Sequence, residues 1–177
     1  MKQYLLAIDP GPTESGWVII DRNYHPIDFG KEGHSTLFPH DNVPRQEWYR
    51  EQLHSVVIEK PVCQKWSGAS VSDTAMVAGV LAGQFQMLCD NVFLVNRAKV
   101  RGRLCGNRGN DSKCIAKLHR RFAPGVSNKG KGTKKEPGFF YGFTGDVWQA
   151  FALGTVFLDL VSSEDPKDRK YISERKL

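Results

Sequence analysis

Residues 4–21 read YLLAIDPGPTESGWVIID. The apolar run is short and stops at Asp9 and a Pro-Gly turn, so residues 3–9 are expected to form a buried strand. A brief polar loop leads to a second apolar run, Gly16 to Asp21, and the two together predict a hairpin. Residues 26–35 suggest a third strand. Residues 43–54 (VPRQEWYREQLH) have helical character, with Pro44 tolerated in the first turn. Residues 55–59 (SVVIE) are β-branched and end at Pro61, which predicts a strand and then a loop.

Further on, residues 70–89 predict a long helix, with Ala78, Gly79, Ala82 and Gly83 small enough for close packing. Residues 91–95 (NVFLV) predict a fifth strand. Residues 111–122 predict a helix bearing Lys113, Lys117, Arg120 and Arg121. Residues 123–143, with two prolines, five glycines and four lysines, predict a flexible loop. A last helix is expected over 145–162, with Thr144 as its N-cap. The order β-β-β-α-β-α-β-α-α predicts an α/β fold, a mixed five-stranded sheet flanked by helices in the ribonuclease-H-like pattern. Residues 1–162 are expected to form one domain with a basic loop insertion at about 123–143, and residues 163–177 a charged, frayed tail.

Composition excludes several classes. With 177 residues, 40% hydrophobic and 25% charged, the chain is that of a single globular domain, not a fibre or a disordered segment. The longest apolar run, Ala150 to Leu158, is about half the length a bilayer requires, and the opening residues lack a signal-peptide core. Cys63, Cys89, Cys105 and Cys114 contain no CxxC pair, so reduced thiols and a cytoplasmic location are expected. The net charge is +6. Residues 97–135 hold 13 Lys and Arg against Asp111 alone, a net +12 that leaves −6 for the rest. A stripe of this kind attracts a polyanion, because neutralised phosphates release condensed counterions.

Three carboxylates stand where the predicted elements would bring them together. Asp9 closes the first strand, Glu59 the fourth, and Asp146 opens the last helix. Each has a plain structural explanation too: Asp9 as a turn starter, Glu59 as a solvated strand end, Asp146 as a favourable partner of the helix dipole. It is the triple beside a basic segment that points to chemistry. Converging carboxylates repel unless a divalent cation neutralises them, and oxygen-only ligation suits Mg²⁺ or Mn²⁺. Two such ions about 4 Å apart would activate water and stabilise the leaving oxygen of a phosphodiester.

The stretch YLLAIDPGPTESGWVIID resembles the opening of the RuvC-type Holliday junction resolvases. VVIEKP (56–61) resembles that family's second catalytic strand, GNRGNDSKCIAKLHRRF (106–122) its Gly-rich entry to a Lys-bearing helix, and TGDVWQAFALG (144–154) its last helix. The resemblance implies that Asp9, Glu59 and Asp146 are the first three carboxylates of a catalytic tetrad. The fourth position, one turn after Asp146, is Gln149, which offers a carbonyl oxygen without charge. Lys113 falls where the family places a basic residue near the scissile phosphate. An aromatic expected three residues after the glutamate is Val62 here, the nearest being Trp66, whose alternative role is to cover the core. The resemblance also implies a bacterial or phage origin and a homodimer acting on a four-way DNA junction with two Mg²⁺ or Mn²⁺ ions per site. DNA contacts are expected from Arg101, Arg103, Arg108, Lys113, Lys117, Arg121, Lys129, Lys131 and Trp66. Phe139, Phe140, Tyr141 and Phe143 would either stack bases or pack on the last helix.

Other classes stay open at the sequence level. Asp9-x-Gly11-x-Thr13 also looks like the first phosphate loop of sugar kinases and actin-like ATPases, although these need two such domains. Gln149 allows a non-catalytic nucleic-acid binder. Fold alone does not separate a junction nuclease from one that cuts RNA–DNA hybrids.

Overall fold

A computed structural model describes residues 2–38, 43–61, 69–106 and 109–177. Five strands form one sheet in the order β3-β2-β1-β4-β5: β1 (Tyr4–Asp9), β2 (Glu14–Ile20), β3 (Pro26–Gly33), β4 (Leu53–Lys60) and β5 (Val92–Asn96). β1, β2 and β3 run antiparallel as a meander, and β4 and β5 extend the sheet parallel to β1. The helices are α1 (His34–Leu37), α2 (Val43–Gln52), α3 (Ala69–Gln86), α4 (Arg97–Cys105), α5 (Asp111–Phe122), α6 (Ser127–Gly130), α7 (Gly145–Val161) and α8 (Pro166–Ser173). The predicted mixed five-stranded sheet with flanking helices is present.

Strand alternation divides the core into two layers. Leu5, Ala7, Val18, Ile20, Val57 and Val95 face α7, packing with Phe151, Leu153 and Phe157. Leu6, Ile8, Ile19, Val56 and Ile58 face the opposite way, onto Leu81 and Phe85 of α3 and onto Tyr49 of α2. Because side chains alternate with period two, Asp9 follows Leu5 and Ala7, and Glu59 follows Val57. Both carboxylates therefore leave the strand ends on the α7 face.

α7 lies very close to β1 and β2, and glycines permit it. A methyl group on Gly154 would stand 2.9 Å from Ile20 Cδ1 and 3.1 Å from Ala7 Cβ. One on Gly16 would stand 2.6 Å from both the carbonyl carbon and Cβ of Asp146. Since Gly16 is the cross-strand partner of Asp9, this contact fixes Asp146 next to Asp9.

Three expectations need correction. Residues 97–105, expected only as part of a basic stretch, form α4. Residues 123–143 are an ordered insertion: Gly130 accepts from the Phe140 amide, Gly132 bridges to Pro137, and Phe140 and Phe143 are fully buried against Trp148 and Phe151. Packing accounts for those rings, and Tyr141 is the exposed one, at 43%. The C-terminal segment is not frayed. It forms α8, and its last residues pair with β5 through Leu94 N–H to the Arg175 carbonyl and Leu177 N–H to the Val92 carbonyl.

Gly16→Ala should lower stability by roughly 1–3 kcal/mol, the usual range for an overpacked contact, because the added methyl meets helix backbone. Thermal denaturation checks this, and an unchanged melting temperature would show that α7 is free to shift.

Candidate active site

The site is built at the ends of β1 and β4. Asp9 and Glu59 are 9% and 6% exposed. Between them lies the guanidinium of Arg97, whose Nε donates to Glu59 Oε1 at 2.6 Å and whose Nη2 donates to Asp9 Oδ1 at 2.9 Å. Arg97 is the first residue of α4, directly after β5, and Glu59 pairs with Val95 in the parallel β4–β5 register. The chain thus delivers a fixed positive charge to the very strand ends that carry the acids.

Asp146, in the first turn of α7, is half-exposed and accepts from Lys31 Nζ at 2.9 Å. Lys31 is the cross-strand partner of Gly16, so Asp9, Gly16 and Lys31 form a row across β1, β2 and β3. The helix end sits above the middle of that row. Gln149 is half-buried one turn further along α7. Arg101 holds Asp111 by a fork, with Nε at 3.1 Å and Nη2 at 2.7 Å from one carboxylate oxygen. This outer pair is close enough for Asp111 to act on Asp9 and for Arg101 to act on Glu59.

Burial dominates the protonation of both inner acids. It pushes Asp9 up to about 6, with Arg97 opposing and the negative charge of Asp146 adding to the rise. It pushes Glu59 up to about 7, with the charge of Asp9 adding and Arg97 opposing. Two desolvated acids at adjacent strand ends thus take up protons at higher pH than free carboxylates do, and a cation would favour their charged forms.

Among the described residues, no three His, Cys, Asp or Glu side chains converge tightly enough to form a preformed metal cage. The donor chemistry nonetheless fits a hard divalent ion. Carboxylate oxygens face one another across a position already held by a cationic group, and Asp146 would complete the set on releasing Lys31.

The structure places Asp9 and Glu59 on either side of Arg97 and the Asp146 backbone next to Asp9, its carboxylate on Lys31, with Gln149 one turn beyond. Lys113 and Lys117 lie exposed one turn apart on α5, whose start is capped by Asn110 Oδ1 accepting from the Lys113 amide at 2.9 Å. Lys129 is exposed on the insertion and Lys131 half-buried. Arg103 and Arg121 are exposed but already ion-paired. Arg103 pairs with the buried Asp168 at 3.1 Å, and Arg121 grips Asp159 at 2.7 and 2.9 Å over the Tyr24 ring. Arg108, Trp66 and Val62 lie outside the described residues. The residue that sequence reasoning passed over is Arg97. It was one of thirteen cations in the basic stretch, and its place immediately after β5 was the only signal that set it apart.

No protein-family model matches the chain, and no curated protein matches it in sequence. Solved structures do. A Thermus thermophilus RuvC structure superposes with a TM-score of 0.54 at 15% identity, covering 98% of this chain and 99% of that one. T. thermophilus RuvC in complex with a Holliday junction substrate superposes with a TM-score of 0.56 at 11% identity, covering 85% and 89%. The fold is that of RuvC. At these identities the likeness extends to the ribonuclease-H-like architecture, and chemistry has to be argued from the side chains. No helix among the described residues is long and apolar enough to cross a membrane.

The raised acids set the sign of a pH effect. An acid whose folded pKa lies above its unfolded value of 3.8 or 4.5 favours folding most below that value. The contribution is lost as pH rises through the folded values of about 6 and 7. In chelator-treated protein, Glu59→Gln should therefore gain stability relative to wild type as pH goes from 5 to 8. Melting curves of the two proteins across that range would refute this if their difference stayed constant.

Proposed function

We propose that this chain is a divalent-metal-dependent endodeoxyribonuclease that cuts four-way junctions or other branched DNA by hydrolysing phosphodiesters. The observation that carries the reading is the Arg97-bridged pair Asp9 and Glu59 at the ends of β1 and β4, with Asp146 beside Asp9 at the start of α7. T. thermophilus RuvC, which shares the fold, is known in complex with a Holliday junction, and that supports branched DNA as the substrate class.

In this reading Asp9, Glu59 and Asp146 hold Mg²⁺ or Mn²⁺, with the Gln149 carbonyl within the same turn of α7. The metal, when bound, supplies Lewis-acid polarisation of the phosphodiester and a water of lowered pKa. The protein does the rest. β1 and β4 fix the two inner carboxylates, and the Gly16 contact fixes the third. Water oxygen attacks phosphorus in line as the bond to the 3′ oxygen breaks, leaving a 5′-phosphate and a 3′ oxygen that takes a proton from solvent to become a hydroxyl. The carboxylates orient that water and accept its proton. Lys113 and Lys117, with Lys129 and Lys131, hold backbone phosphates, which positions the strand without reading its sequence. Arg101, Arg103 and Arg121 are left out of this set because Asp111, Asp168 and Asp159 already neutralise them.

The test is cleavage of a synthetic four-way junction beside linear duplex and RNA–DNA hybrid, with Mg²⁺ or Mn²⁺. Wild type should nick the junction, and Asp9→Asn should lower the rate by on the order of 10²–10⁴-fold while junction binding persists. Preferential cleavage of the hybrid would reassign the substrate. No cleavage by wild type with either metal would favour a non-catalytic junction binder, the second reading that Gln149 supports.

Cutting two opposed strands calls for two copies, and α3 offers a surface for pairing. Met76 and Val80 are 70% and 58% exposed along it, and Met87, just past its end, is 65% exposed. Gly79 and Gly83, four residues apart, leave open space on the helix surface, the spacing that lets two helices approach closely. Val80→Arg should convert a dimer to a monomer in sedimentation analysis. A wild type that sediments as a monomer would refute pairing through this face.

A further inference from the structure

The arrangement around Arg97 bears on how many ions the site takes, an inference that rests on the nuclease reading above. Asp9, Glu59 and Asp146 bring three negative charges. The outer Asp111 is matched by Arg101 and adds none. Gln149, one turn beyond Asp146, adds none either. Against these three stands Arg97, bound at once to Glu59 and Asp9 at 2.6 and 2.9 Å. That leaves two net negative charges once Lys31 gives up Asp146, enough to balance a single divalent cation. A pair of such ions would bring four positive charges to a site with two.

Arg97 is not placed to leave. Its side chain is two-thirds buried, and its backbone follows directly from β5, hydrogen-bonded to β4 up to the Lys60–Asn96 pair. A guanidinium does not lose its proton in a protein, so the positive charge is permanent. Withdrawing it would strand two desolvated carboxylates. Two of its five N–H groups are used on the acids, and the remaining donors suit the oxygens of a phosphodiester.

We infer that Arg97 supplies one of the two cationic charges that phosphodiester hydrolysis at this site needs, so that the chain binds one divalent ion, between Asp9 and Asp146. Arg97 then holds the Glu59 side permanently and presents donors to the phosphate, where charge grows in the transition state.

Manganese serves as both ligand and probe. Titration calorimetry of the metal-free protein with MnCl₂ gives stoichiometry, and frozen-solution electron paramagnetic resonance of the complex with a four-way junction distinguishes a lone ion from a spin-coupled pair. Wild type should bind one Mn²⁺ per chain and show no coupled signal. Arg97→Lys, which keeps a charge, should do the same. Arg97→Gln should admit a second ion and develop the coupled spectrum, with circular dichroism melting used to confirm that it folds. A coupled pair in wild type would overturn the inference and leave the nuclease reading intact. A folded Arg97→Gln that stays at one ion would also overturn it. No Mn²⁺ bound above the DNA-only background in any variant would remove the metal-dependent reading together with the inference.

Discussion

Two carboxylates buried side by side are tolerated in this protein because one guanidinium lies between them. Removing a carboxylate from water disfavours its charged form, and a second acid nearby deepens the penalty. Arg97 offsets much of that for both, using a donor for each, yet Asp9 and Glu59 still sit at about 6 and 7. The compensation is incomplete, so the pair retains a standing demand for positive charge. A site built to be merely stable would have an apolar pair or a fully matched one at these strand ends.

The demand is useful only if the third carboxylate is at hand, and that depends on steric room. α7 reaches the ends of β1 and β2 because Gly16 and Gly154 have no side chain at the two tightest contacts. The same close approach buries the apolar face of α7, from Val147 to Leu160, against the sheet. Packing energy thus holds Asp146 beside Asp9, against the repulsion between two like charges. The Lys31 ammonium moderates that repulsion from the neighbouring strand.

Most of this frame was legible in the sequence. Short apolar runs ending in Asp9 and Glu59 gave the two strand ends, and Thr144-Gly145-Asp146 ahead of an apolar stretch gave the helix start, because all three are local patterns. What escaped was non-local. α4 has weak periodicity and many charges, so its helical state comes from where it docks. Phe139, Phe140 and Phe143 stand among glycines and lysines, and nothing local decides between stacking on bases and folding back beneath α7, the two readings the sequence left open. Arg97 looked like one more cation of a phosphate-binding stripe. Arg103 and Arg121 looked the same, and the acids that neutralise them, Asp168 and Asp159, are 65 and 38 residues away.

The C-terminal segment shows why these non-local terms matter to the site. Asp168 of α8 is buried at 4% exposure and takes both Lys99 and Arg103 of α4, at 3.2 and 3.1 Å. Tyr171 covers Lys99 with its ring, 4.6 Å from the ammonium, and its hydroxyl accepts from the Asn96 amide at 3.4 Å, just before α4 begins. The last residues then add hydrogen bonds along the free edge of β5. α8 therefore clamps α4 to the sheet within one turn of Arg97. A guanidinium that must lie within hydrogen-bond reach of two separate strands needs a rigid helix behind it. The segment that charge and position mark as a loose tail supplies that rigidity, and the basic residues of α4 that resemble a DNA-binding set are partly used in making it.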